Sequence, residues 1–231
     1  MTGENRTIAG RECTLYASER PACVLLQPVD EHDREGLDRQ VALMEGSGQR
    51  PFALCAFRIE DWNRELSPWD AAPVFGNQPF GHGARETLNW TEGELLPELM
   101  GRWELPEDLP ILMGGYSLAG LFALWSATET DRFSAAACAS PSVWFPGWME
   151  HAQAHAFRVR AVYLSLGDRE ERTRNPVVAT VGDRIRDLEA LLRGRERPEA
   201  CTLEWNEGNH FREPDARTAR AFSWCMKQIT A

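Results

Sequence analysis

No apolar run in this sequence approaches the roughly 20 residues that a membrane-spanning helix needs. The N-terminus, "MTGENRTIAGREC", is polar and has no apolar core of a secretory signal, so a cytoplasmic location is expected. Metal-ligand spacings such as CxxC are missing. The six cysteines, Cys13, Cys23, Cys55, Cys138, Cys201 and Cys225, are scattered. Most fall in apolar runs and read as small buried hydrophobes in a reducing compartment. Basic clusters are missing too, apart from the mixed stretch "RIRDLEALLRGRER". With a net charge of −10, the chain is not expected to bind nucleic acid, and no membrane partner is expected either. Neither G-x-x-x-x-G-K-[ST] nor G-x-G-x-x-G occurs, which argues against a phosphate-cradling loop. Internal repeats and low-complexity segments are also lacking. No cofactor and no metal is called for.

What is present is a globular composition. The 231 residues are 43% hydrophobic and 26% charged, and residues 1–231 read as one domain. Apolar runs of strand length alternate with amphipathic segments, the pattern of a parallel α/β sheet. Strands are expected near 13–19, 22–29, 51–59, 110–116, 134–140, 160–167 and 201–207. The middle ones are apolar on both faces, as strands covered by helices on both sides must be. Helices are expected at 35–45, 92–103, 119–129, 147–157, 176–194 and 216–229. In the fifth, Val181, Ile185, Leu188, Leu191 and Leu192 recur at spacings of three and four and form one apolar face. The stretch from Asp61 to Asn89 is rich in Pro, Gly, Asn and Trp and has no period, so a long loop bordering the site is expected there.

The segment "LPILMGGYSLAGLFALW", Leu109 to Trp125, joins an expected buried strand to an expected helix almost without a connection. Such a turn is sharp and pushes its central side chain outward. Residues two before and two after must be small, and here they are Gly115 and Ala119. This is the logic of the nucleophile elbow G-x-S-x-G, with Ala119 in place of the second glycine. Ser117 would stand at the carboxyl end of the sheet, where open α/β sheets bind ligands. The helix beneath it offers N–H groups and a positive dipole end to a developing oxyanion. The alternative is a serine that merely caps a buried helix.

A serine hydroxyl needs a base. Of the histidines, His32 lies in a charged loop and His82 in "FGHGA". His151 and His155 lie four apart on an expected helix, without the glutamate of HExxH, and read as an exposed helix face. His210, in "EWNEGNHFREP", lies between the last expected strand and the last expected helix, at the same end of the sheet as Ser117. An acid must orient the imidazole. "DREE" after the strand "VYLSLG" offers Asp168, Glu170 and Glu171, and periodicity does not choose among them.

The ordered motifs "GGYSLAGLFALW", "FSAAACASPSVWFPGW", "VYLSLGDREE" and "EGNHF" resemble the putative esterase family, which holds the esterase D-like and enterochelin-esterase-like serine hydrolases. "NRELSPW" and "FGHGARETLNWTEGELLPEL" match its segments before the elbow, so the resemblance runs from about Ala53 onward. It implies an α/β-hydrolase fold: a mostly parallel central sheet, helices on both faces and no large cap. It implies Ser117 as nucleophile and His210 as base. The family's G-x-x-D pattern, laid on Gly167-Asp168-Arg169-Glu170, points to Glu170 as the acid, with Asp168 second. The oxyanion donors implied are the N–H of Leu118 and one from the loop "QPVDEHD", near Val29 or Asp30.

The expected activity is carboxylic ester hydrolysis through an acyl-enzyme, on a small-molecule ester. Tyr116, Trp62, Trp69, Trp90 and Trp144 are candidates for the pocket wall, which would suit a hydrophobic or aromatic acyl group. Two other readings stand beside this one. They are an acyltransferase on the same triad and a binding protein that keeps the fold without catalysis. A homodimer is left open.

Overall fold

A computed structural model describes residues 1–229. Strands β1 (Glu4–Ile8), β2 (Arg11–Ala17), β3 (Val24–Val29), β4 (Ala53–Arg58), β5 (Ile111–Tyr116), β6 (Ala135–Ala139), β7 (Ala161–Gly167) and β8 (Ala200–Asn206) form one sheet. Their order is β1-β2-β4-β3-β5-β6-β7-β8. β1 and β2 run antiparallel, and β3 to β8 are parallel to their neighbours within that set. Every residue of β3, β5, β6 and β7 is buried, which explains why these runs are mostly apolar instead of alternating, with Gln27 and Ser165 the buried polar exceptions.

Helices α1 (Glu31–Glu35), α2 (Leu37–Gly46), α3 (Trp62–Glu65), α4 (Ala84–Trp90), α5 (Leu96–Arg102), α6 (Leu118–Glu129), α7 (Trp148–Ala154), α8 (Val181–Arg193) and α9 (Pro214–Ile229) connect the strands. They divide between two cores. On one face α2 and α9 cover the sheet through Leu37, Val41, Met44, Phe222, Cys225 and Met226. On the other lie α4 to α8, with Leu88, Leu99, Phe122, Trp148, Ile185 and Leu188. α6 is buried from Leu118 through Thr128 and therefore has no polar face. Among the described residues no helix is long and apolar enough to cross a membrane.

The structure departs most from the sequence pattern in two places. β1, "ENRTI", was not anticipated. Only its Ile8 is buried, so it has no apolar alternation, and the ladder to β2 holds it in place. Its hairpin turn is the pair Ala9-Gly10, both at positive φ (46° and 83°), as a two-residue turn between twisted strands requires. The segment Asp61–Asn89 is not one long loop either. It opens with α3 and ends inside α4, so only residues 66–83 are irregular, pinned by the bridge Ala71–Phe80. Helical structure continues from α4 through a π turn, Thr91–Leu95, into α5. Pro97, which can donate no helical hydrogen bond, is the second residue of α5, just past that turn.

Candidate active site

Ser117 stands between β5 and α6 with φ 56° and ψ −119°, a strained conformation for a residue with a side chain. Its N–H donates to the Ala139 carbonyl (3.1 Å), and its carbonyl accepts from Leu121 (3.1 Å) and Ser142 (3.0 Å). The backbone is held on both sides, and that supports the strain. A Cβ on Gly115 would lie 2.6 Å from the Cβ of Ala119. The methyl that Ala119 adds to the elbow therefore fits because position 115 carries none.

The ends of β5, β7 and β8 bring three distant side chains together. His210 Nε2 lies 3.0 Å from Ser117 Oγ. His210 Nδ1 lies 2.7 Å from Glu170 Oε2. Ser142 Oγ is a further neighbour of the serine hydroxyl, at 3.3 Å. The acid and histidine loops approach closely at Gly167, where a Cβ would meet the Gly208 carbonyl at 2.4 Å.

Glu170 is buried and fully engaged. Its Oε1 accepts from the Gly167 N–H (2.7 Å), Ser140 Oγ (2.8 Å) and Arg217 Nη1 (2.9 Å). Burial pushes the carboxyl up. The bonds and charge of His210, with the Gly167 and Ser140 bonds, outweigh it and hold the group below the ordinary carboxylate range.

The other two acids of "DREE" do not reach the imidazole. Asp168 Oδ1 accepts from the Gly208 N–H (2.8 Å), and the Asp168 N–H donates to the Asn206 carbonyl (2.8 Å). It ties the two loops together. Glu171 turns away to Arg186 (3.1 Å).

Arg217 escaped the sequence reading. Its side chain is 1% exposed. Besides Glu170 it donates to Tyr116 Oη (3.1 Å), Ser140 Oγ (3.2 Å) and the carbonyls of Glu207 (3.2 Å) and Asn209 (3.1 Å). One guanidinium thus anchors both the carboxylate and the histidine loop. The signal was a charge four and eight residues before Ala221 and Cys225, on the buried stripe of α9.

Tyr116 belongs to the same network. Its hydroxyl donates to the His210 carbonyl (2.7 Å). Burial, then the charge of Glu170, pushes its pKa up to about 12.

Two cavities meet at Ser117 and His210. The larger, about 510 Å³, is lined on its apolar side by Phe75, Trp144, Phe211, Val178 and Val181. The smaller, about 160 Å³, is bounded by Asp30, His32, Asp33, Trp62 and Tyr116. Trp144 thus lines the larger cavity and Trp62 the smaller. Trp69 and Trp90 line neither. Trp69 donates to the Pro146 carbonyl (2.8 Å) and packs on Phe145 and His151. Trp90 donates to the Ala9 carbonyl (3.1 Å), beneath Arg11 and against Phe57. Both serve packing.

Of the remaining histidines, His32 lines the small cavity that also reaches Ser117. His82 pairs with Asp70 on the surface (2.9 Å). His151 stacks on His155 and bonds Thr128 (2.9 Å); its side chain is mostly covered and His155 lies past the end of α7, so the pair is not the exposed helix face expected. Among the described residues no group of three or more His, Cys, Asp or Glu could hold a metal ion.

Leu118, first residue of α6, has an N–H with no acceptor within the helix, at the positive end of its dipole. Val29 is buried within β3. Asp30 borders the small cavity and caps α1, its carboxylate accepting from the Asp33 N–H (2.8 Å). Asp33 itself lines the same cavity. Burial, then the charge of Asp30, pushes its carboxyl up to about 7.

A strained serine elbow in this sheet order defines an α/β-hydrolase fold. Solved structures share it. An IroE-like serine hydrolase from Shewanella oneidensis superposes with a TM-score of 0.79 at 16% identity, covering 98% of this chain and 80% of that one. The siderophore hydrolases EstA and EstB of Aspergillus nidulans each give 0.77, at 15% and 16% identity, covering 97% of this chain and 94% of theirs. No family model and no curated protein sequence matches the chain. At these identities the likeness shows the fold alone.

Proposed function

We propose that this chain hydrolyses carboxylic esters through an acyl-enzyme on Ser117. The observation that carries the reading is the unbroken hydrogen-bond relay from Glu170 through His210 to Ser117. At 3.0 Å, His210 Nε2 is within reach of the hydroxyl proton. His210 accepts that proton as Oγ attacks the ester carbonyl. Glu170 fixes the imidazole by its Nδ1–H and stabilises the imidazolium that forms. The Leu118 N–H points its dipole at the developing oxyanion. The second donor is assigned to the loop at Asp30, which shares the small cavity with Ser117.

His210 then protonates the leaving alcohol. Water enters along the same path, and His210 deprotonates it to release the acid and restore Ser117. The His210 side chain is 31% exposed, so solvent reaches the base. The named neighbours are serine and siderophore hydrolases, which agrees with ester cleavage.

Hydrolysis of phenyl acetate by wild type and Ser117→Ala tests the assignment. Removing the nucleophile of such a unit costs on the order of 10⁶ in turnover. Turnover near the wild-type rate, or failure of a fluorophosphonate probe to label Ser117, overturns it.

A further inference from the structure

The turn after β7 carries two arginines on either side of the proposed triad acid. The Arg172 N–H donates to the Arg169 carbonyl (3.1 Å), an i to i+3 turn that brings the two positions to one side. Both residues line the 510 Å³ cavity together with Ser117.

Neither guanidinium has an ion-pair or hydrogen-bond partner among the described residues, although acids are abundant on the same turn. Each of those acids is committed elsewhere. Asp168 accepts from the Gly208 N–H, Glu170 is held by His210 and Arg217, and Glu171 pairs with Arg186. The acids of the turn are thus engaged, while the exposed Arg169 and Arg172 line the cavity without a side-chain partner among the described residues. Trp144 and Phe75, ring to ring at 5.8 Å, form an aromatic wall in the same cavity.

We infer that the substrate is an ester bearing a carboxylate, recognised by Arg169 and Arg172, with its apolar body against Trp144 and Phe75. This deepens the hydrolase reading and rests on it. Arginine suits the task because its planar fork matches a carboxylate and stays charged at any working pH. The net charge of −10 does not cancel the effect. Charges farther than the roughly 8 Å Debye length at physiological salt are screened, whereas these two guanidiniums border the site itself. The reaction class that supplies such a substrate is esterification of one carboxyl of a diacid, or of an alcohol or phenol that carries a separate acid.

The test compares matched esters: monophenyl glutarate against phenyl pentanoate, and 4-acetoxybenzoate against 4-acetoxybenzamide. The first pair places the carboxylate on the acyl side and the second on the leaving side. Wild type is expected to prefer the anionic member of at least one pair in kcat/KM. In the Arg169→Gln/Arg172→Gln double variant that ratio should fall on the order of tenfold, the size of a charge-assisted contact. Salt should erode the wild-type preference and leave the variant's ratio flat.

If Ser117-dependent turnover occurs with no preference for either anionic ester, or with a ratio the double variant leaves intact, this inference is wrong and the hydrolase reading stands. If no ester turns over in a Ser117-dependent way, both fall. Near-ultraviolet circular dichroism of the double variant separates lost recognition from lost folding. If the variant is misfolded, the decision rests on the wild-type ratio and its salt dependence.

Discussion

Arg217 Nη1 lies 2.9 Å from Glu170 Oε1, and neither side chain is more than 4% exposed. The pair forms the floor of the proposed relay, since the other carboxylate oxygen faces His210. Burying two charges is costly, and here Ser140 and Gly167 donate further hydrogen bonds to the carboxylate while the guanidinium donates to Tyr116 Oη.

Arg217→Met should destabilise the fold by about 3–5 kcal/mol, because it leaves a buried carboxylate without its cation. Adding Glu170→Gln should recover part of that loss. Urea unfolding of the two single variants and the double variant measures the coupling. Strict additivity would show that the pair is not a unit.

Glu170→Gln should lower kcat on the order of 10⁴ with little change in KM, since the amide favours the wrong imidazole tautomer. Asp168→Asn should leave turnover within about tenfold, because its carboxylate bonds the Gly208 N–H and not the imidazole. Steady-state kinetics that reverse the two effects would move the acid to Asp168.

Gly115→Ala should cost about 1–3 kcal/mol, as overpacking against Ala119 forces the elbow open. Combining it with Ala119→Gly should restore most of the loss. Thermal unfolding of the two single variants and the double variant decides. No rescue in the double variant would mean that the steric conflict lies elsewhere.

Asp33 gives a pH signature. Burial and then Asp30 hold its carboxyl protonated to about pH 7, whereas an unfolded aspartate ionises near ~4. Between those values the unfolded chain binds fewer protons, so Asp33 costs stability as pH rises from about 4 to about 7. The stability gained by Asp33→Asn should therefore be small at pH 4, grow through that window and level off above it. Equal gains at pH 4 and pH 8 in urea unfolding would contradict this.

Much of the architecture was legible because hydrophobic period is a local property. The runs at 110–116 and 160–167 read as buried strands, and β5 and β7 occupy them almost residue for residue. The turn "GGYSLAG" also announced itself, since small residues around a serine report a close approach of strand and helix. β1 was invisible because only Ile8 is buried, so its pairing with β2 left no hydrophobic alternation to read.

By itself, then, the sequence determined the parallel α/β plan, the elbow at Ser117, the candidate His210 and a choice of acids, Asp168, Glu170 and Glu171. The tertiary structure alone decided which acid faces the imidazole, that Arg217 fixes it, and that Trp62 and Trp144 face the cavities while Trp69 and Trp90 pack away from them. The physical reason is range. Strand and helix periods are written in neighbouring residues, but the direction of a loop carboxylate or an indole depends on partners 40 to 101 positions away, such as Glu170 from His210 and Tyr116 from Arg217. Those partners meet only when the carboxyl ends of β5, β7 and β8 are brought side by side.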